Sequence, residues 1–303
     1  MSAVTYATAQ ILRVLPRQRI GQALGRLADS PWPAPLGKAV VGLYSRIYDV
    51  SLGDYLPPGQ TDASWPSFDA FFTRRLREGA RTIDREPRAV ISPADGRVES
   101  MARIDEGGTF VVKGRPYAVE ELVGDAREAK RFLGGAGCVV YLSPRDYHRV
   151  HAPVGGQIRR IRSMPGDYFP VNAIGMRHVP NLFCRNRRVA IEIDGDGGVG
   201  RVTVVMVVAM IVGRITTIGV DAHDVPLGVH TFDPPLKVAR GDELGVFHLG
   251  STAVVLVEGG DRRAGSWLVA QGPVRFGQAL YRVTADAVAS GVDSPRSTNG
   301  EAG

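Results

Sequence analysis

From Val90 to about Val283 the chain is a succession of short runs rich in Val and Ile, each soon interrupted by Gly, Pro or Asp. β-Branched side chains are stiff and suit a pleated surface, and the interrupting residues supply turns, so this region predicts strands and hairpins. Cys138 to Leu142, Val189 to Ile193 and Thr252 to Val257 read as such strands. The most apolar window, Val202 to Val212, falls short of the roughly 20 apolar residues of a membrane-spanning helix, and its valines favour a buried strand. No transmembrane segment is expected, and any membrane contact is expected to be peripheral.

Residues 1 to about 60 have a different texture, helical and amphipathic, with Ile11, Leu12, Leu15, Ile20, Leu24 and Leu27 interleaved with Arg13, Arg17, Arg19 and Arg26. Pro16 interrupts the first stretch. Pro31, Pro33 and Pro35 around Trp32 then separate it from a second apolar segment carrying Val40, Val41, Leu43, Tyr44, Ile47 and Tyr48. Helices of this kind either pack on a core or lie on anionic lipid, and both readings stay open here. Ser67 to Leu76 predicts a short helix with Ser67 as N-cap and Phe68, Phe71, Phe72 and Leu76 on one buried face. Ala285 to Gly303 is small and polar, which predicts a disordered tail. The fold class is therefore α+β, with N-terminal helices on a mainly antiparallel, β-rich domain.

At 303 residues there is ample material for a real core. The excess of 37 basic over 31 acidic residues, +6, suits an anionic surface better than a dedicated nucleic-acid groove, so no nucleic-acid partner is expected. Cys138 and Cys184 are the two cysteines and form no CxxC, which indicates neither a disulfide framework nor a thiolate zinc site. Met1 to Leu12 lacks the basic leader, apolar stretch and cleavage site of a signal peptide, so no export is expected.

Three polar islands interrupt the apolar runs. Ser92-Pro93-Ala94-Asp95-Gly96-Arg97-Val98 taken alone is an ordinary turn. The stretch from Ser143 to Gly156 puts His148 and His151 three residues apart beside a proline-bounded turn. A metal pair is conceivable there, but His178, His223, His230 and His248 complete no HxH or HExxH pattern, and no metal is expected. The third island runs from Gly241 to Val255 and contains Gly250-Ser251-Thr252 between apolar runs. It is no α/β-hydrolase elbow, because Leu249 and Ala253 stand where glycines are required. A biotin or lipoate carrier would need a lysine displayed at a tight hairpin turn between suitable neighbours, and neither Lys113 nor Lys237 has that context.

Together, however, Asp, His and Ser are the parts of a nucleophilic relay that is recognised by roles and not by order in the chain. With the Phe-rich segment Phe68 to Leu76 and the phrases SPADG, DYHRVHAPVGG and LGST, the chain closely resembles the phosphatidylserine decarboxylase family across roughly residues 65 to 260. The resemblance implies that Asp95 orients His151, and that His151 activates Ser251 against the peptide bond after Gly250. It implies an ester in place of that amide, then elimination, which leaves a pyruvoyl group at the head of chain 251–303 beside chain 1–250. That covalent, self-generated group would be the cofactor, forming a Schiff base with phosphatidylserine and releasing carbon dioxide to give phosphatidylethanolamine. His148 is implied in the decarboxylation, where an ordinary imidazole pKa of ~6.5 would suit a proton donor near neutral pH.

The same resemblance implies a membrane-associating region 1–60 and a catalytic domain 61–284 cut between 250 and 251, ahead of the tail 285–303 that composition marks. With no spanning segment and no export expected, the protein is expected peripherally on the cytoplasmic side of the cell membrane, with anionic phospholipid as its surface, and a higher oligomer is left open. Two positions depart from the family's usual pattern: Asn186-Arg187-Arg188 has a base where an acid is common, and Val208-Ala209-Met210 replaces Val-Gly-Ala.

Overall fold

The structure is a computed structural model that describes residues 17–57, 64–209, 214–259 and 265–284. Calls that fall on Ile11 to Pro16, on Met210 or on the tail lie outside these residues.

Among the described residues, sixteen strands form the body. They are β1 (Ala89–Ile91), β2 (Gly96–Arg103), β3 (Thr109–Val112), β4 (Arg115–Ala118), β5 (Ala136–Leu142), β6 (Arg149–His151), β7 (Gly156–Met164) and β8 (Arg188–Gly195). They continue as β9 (Gly200–Val208), β10 (Arg214–Thr217), β11 (Gly228–Val238), β12 (Glu243–His248), β13 (Ser251–Val257), β14 (Gly265–Trp267), β15 (Gly272–Val274) and β16 (Ala279–Val283). An eight-stranded antiparallel sheet runs in the order β11-β7-β8-β9-β13-β5-β2-β15, and two three-stranded sheets, β10-β12-β6 and β1-β16-β14, accompany it. The antiparallel α+β reading holds. The runs predicted as strands are β5, β8 and β13, and the Val-rich window is β9 as far as Val208.

β13 lies inside the large sheet, with Ser251 opposite Leu142 of β5 on one side and Val208 of β9 on the other. Every residue from Ser251 to Val257 is buried, because both sheet faces are covered there. That explains why this strand reads as a continuous apolar run and not as an alternation. Gly96 lets β2 approach β5 at this end of the sheet, since a Cβ on it would stand 2.4 Å from the Tyr141 carbonyl oxygen.

Among the described residues, two helices precede the body, α1 (Arg17–Asp29) and α2 (Ala34–Tyr48). Trp32 between them donates its indole N–H to the Trp65 carbonyl at 2.6 Å, and the Tyr44 hydroxyl donates to Pro144 O at 2.9 Å. One face of this pair is thus docked on the body. The opposite face leaves Leu27, Leu36, Leu43 and Ile47 in solvent, Leu27 at 70% and Ile47 at 65% exposure.

The Phe-rich helix α3 (Phe68–Phe72) is capped as expected, the Ser67 hydroxyl accepting the Ala70 N–H at 3.1 Å, but it stops four residues before Leu76. Tertiary pairing ends it. Leu56 N–H donates to the Arg75 carbonyl, Leu76 bridges to Tyr55, and the buried Arg74 guanidinium lies 4.2 Å over the Tyr55 ring while donating to Arg145 O. Lys113 does stand at a tight hairpin turn, between β3 and β4, where Glu99 takes its ammonium.

Candidate active site

The third island is a two-residue connection between sheets. β12 ends at His248 in the small sheet, β13 begins at Ser251 in the large one, and Leu249 and Gly250 join them with φ of +83° and +39°. A left-handed backbone at a branched, non-glycine residue costs roughly 1–2 kcal/mol. It persists where its flanks leave the chain no alternative. Immediately after it, the Ser251 hydroxyl is buried and has no hydrogen-bond partner. An unpaired buried hydroxyl costs about 1–3 kcal/mol, so the chain carries two unfavourable features side by side.

The pleat decides what faces Ser251. Side chains alternate along β13, so Ser251 shares a face with Ala253, and the register adds Val208 and Met206 of β9. A Cβ on Gly245 of β12 would meet Met206 Sδ at 3.0 Å, so the Gly245 face of the small sheet looks toward the Ser251 face of the large one. Gly245 pairs with Val150 of β6, and Phe247 N–H donates to the His148 carbonyl. His148 therefore continues the inward face with Val150 and Phe247, while Arg149 and His151 take the other.

His148 is fully buried against Phe72, with ring centroids 3.9 Å apart, and Phe72 packs with Leu249 of the connection. Its Nδ1 donates to the Asp146 carbonyl at 2.8 Å, an acceptor that fixes the hydrogen on Nδ1 and leaves Nε2 as a bare lone pair. Burial pushes its pKa from the ordinary value to about 3, with the Asp146 hydrogen bond opposing only in part. The sequence reading expects an imidazole of ordinary pKa here, and the burial that the fold imposes lowers it. Burial thus favours the neutral ring, with Nε2 as its open acceptor.

His151 sits in a separate setting. Its Nδ1 donates to Gly241 O at 2.8 Å, so Nε2 is the acceptor of the Tyr147 hydroxyl at 2.9 Å, and its ring stacks on Phe276 at 3.9 Å. Burial lowers its pKa, and the Gly241 hydrogen bond and the Glu243 and Asp95 carboxylates push back. Asp95 makes no hydrogen bond to His151. It accepts from the Arg81 guanidinium, Nε to Oδ1 at 3.0 Å, and from the Phe276 backbone N–H at 2.8 Å. The structure thus brings Asp95 and His151 together around Phe276, sets His148 facing the Ser251 layer, and leaves the two halves unjoined.

Arg81, Tyr147, Gly241 and Phe276 complete this site, and sequence reasoning did not single them out. Tyr147 and Gly241 stood inside quoted motifs, whereas nothing in the local sequence marks Arg81 or Phe276. Both histidines cannot chelate one ion as arranged, since they face opposite ways and both His151 nitrogens are engaged. Among the described residues, no three His, Cys, Asp or Glu side chains gather as a metal site.

The family model described as phosphatidylserine decarboxylase matches residues 68–282, from the first residue of α3 into β16. The chain belongs to the phosphatidylserine decarboxylase family. Relatives named phosphatidylserine decarboxylase proenzyme include one from Myxococcus xanthus (strain DK1622), 37% identical over 252 residues, covering 82% of this chain and 88% of the relative. Another, from Azotobacter vinelandii, is 39% identical over 278 residues, 88% of this chain and 94% of the relative. A third, from Bordetella petrii, is 38% identical over 273 residues, with 88% and 93% covered. This enzyme's departure at Arg187 is accommodated locally. The buried guanidinium pairs with Asp224 at 2.8 Å and donates to the Val225 carbonyl, while Asn186 bridges Phe169 and Val208.

Proposed function

We propose that this decarboxylase is made as a precursor, cuts itself between Gly250 and Ser251, and converts phosphatidylserine to phosphatidylethanolamine with the pyruvoyl group that Ser251 becomes. The observation that carries the proposal is the pair of left-handed residues leading into a buried, unpartnered serine hydroxyl. Gly250 has no side chain to shield its carbonyl, and a strained peptide bond gains on rearrangement. Oγ attacks the Gly250 carbonyl carbon and the C–N bond breaks, giving an ester. Loss of the Gly250 carboxylate across the Ser251 Cα–Cβ bond follows, and water replaces the nitrogen as ammonia. The site fits the group, since Ser251 heads a strand buried throughout. The pyruvoyl carbonyl supplies a Schiff-base partner for the substrate amine and takes up the electrons released with carbon dioxide.

His151 is assigned as the base of self-cleavage and Asp95 as the residue whose charge supports it, with Tyr147 releasing Nε2 when it acts. His148 is assigned to turnover. Its bare Nε2 is the nitrogen that would relay a proton to the substrate carbon once carbon dioxide has left. Chain 251–303 should stay bound to chain 1–250. Burying Val254, Val255, Leu256 and Val257 is worth roughly 1.5–3 kcal/mol each, and β13 keeps ladders on both sides. Denaturing and native mass spectra of the expressed protein test this, with two chains in the first and their sum in the second.

Residues 1–60 are assigned to membrane association, 61–284 to catalysis and 285–303 to a tail. No helix among the described residues is long and apolar enough to cross a membrane. The attachment proposed is peripheral, on the anionic cytoplasmic side, through the exposed Leu27, Leu36, Leu43 and Ile47 with Lys38, Arg46 and Arg26 beside them. Because α1 and α2 also brace the body, point changes test this better than truncation. Leu43→Glu with Ile47→Glu is expected to weaken binding to phosphatidylserine vesicles by roughly tenfold or more, about 1.4 kcal/mol, while self-cleavage continues. Unchanged vesicle sedimentation would return the stripe to plain surface.

A further inference from the structure

His248 is the last residue of β12, two positions before the bond assigned to cleavage, and the relay gives it no task. Its Nδ1 donates to both carboxylate oxygens of Asp69, at 2.8 and 2.9 Å, and its Nε2 lies 3.2 Å from the Thr216 hydroxyl. Both side chains of the pair are largely buried. Asp69 belongs to α3, which is capped by Ser67 and anchored by the buried Phe71 and Phe72, and the Thr73 hydroxyl closes its last turn on Asp69 O. Arg214 stands opposite His248 in the small sheet, donates to Asp69 Oδ2 at 3.0 Å and pairs with Asp29 of α1. The strained connection is therefore held at both ends. Downstream, Ser251 is pinned between β5 and β9, and upstream His248 is pinned to a helix outside the sheet.

Left-handed geometry at Leu249 survives only while both flanks are over-determined. A relaxed upstream flank would let the two residues return to extended backbone and carry the Gly250 carbonyl away from the serine. We propose that Asp69 and His248 are positioning residues for self-cleavage, a clamp that keeps the Leu249–Gly250 connection in its reactive conformation. The idea rests on the reading that the chain cuts itself at Ser251. It goes further in one respect: once the bond is cut, Gly250 is a free carboxyl end, and the clamp has no further bearing on decarboxylation.

The test is a maturation time course read by denaturing mass spectrometry, with turnover measured separately on the matured two-chain fraction. Wild type, Asp69→Asn, His248→Phe and His248→Asn are compared. His248→Phe is expected to slow cleavage by about tenfold or more, and Asp69→Asn to slow it less. Turnover per mature molecule should stay within about twofold of wild type, a split that general destabilisation does not produce. His248→Asn, whose amide N–H stands near the Nδ1 position, is expected to recover much of the rate, and it also reports if the phenylalanine variant fails to fold. Wild-type maturation rates in both His248 variants would overturn the clamp, as would a fall in mature turnover equal to the fall in cleavage. A wild-type chain that stays whole would instead end the underlying reading.

Discussion

Ser251→Ala is expected to give one uncut species with the mass of the whole 303-residue chain and no decarboxylase activity, where wild type gives chains 1–250 and 251–303. The hydroxyl is both the attacking atom and the source of the carbonyl, so its loss removes cleavage and chemistry in one step. Decarboxylation should fall by at least ~10⁶-fold, the lower end of enzymic acceleration, to the background of the assay. The substitution should not harm the fold. It deletes a buried hydroxyl that has no partner, so the melting temperature of the variant should equal or exceed that of an uncut chain carrying serine. A variant that is uncut and also much less stable would mean that the hydroxyl has a structural partner. A variant that still separates into two chains would remove the serine from the mechanism altogether.

What the sequence made legible was decided by how local each signal is. β5, β8, β9 and β13 are Val-rich because both faces of the sheet are covered, and composition alone reports that. The Ser67 cap is equally local, and it was read correctly. The end of α3 was not, because Arg74, Arg75 and Leu76 keep helical spacing while long-range partners at Tyr55, Leu56 and Arg145 turn them away. The same limit applies at the site. Motifs brought out Asp95, His148, His151 and Ser251, yet spacing cannot say that His151, at the end of β6, and His148, just before it, enter separate settings. Nor can it say that Gly241 and Tyr147 take both nitrogens of His151, or that Arg81 and Phe276 take the carboxylate of Asp95.

That separation makes the paired histidines the sharpest test of roles. His148→Ala is expected to mature and then decarboxylate about 10²–10⁴-fold more slowly per mature molecule, the usual contribution of a positioned acid–base group. His151→Ala and Asp95→Asn are expected to mature slowly or not at all, with whatever fraction is cut retaining turnover. Stability should report the same burial. His148 binds its proton far less readily folded, at about 3, than unfolded, near ~6.5, so below ~6.5 the unfolded chain holds the extra proton. Folding stability is thus complete above that pH and declines as the pH falls toward 3, by up to about 1.4 kcal/mol per pH unit for this one group. The lowered His151 adds to the decline in the same direction. His148→Gln, which cannot titrate, should flatten part of that slope in denaturant titrations at pH values between those limits. Because His148 faces the Ser251 layer with a free base nitrogen and His151 does not, the opposite partition is a concrete rival. If His148→Ala stays whole while His151→Ala is cut at the normal rate, the base of self-cleavage is His148, and the Asp95–Arg81–Phe276–His151 cluster belongs to turnover.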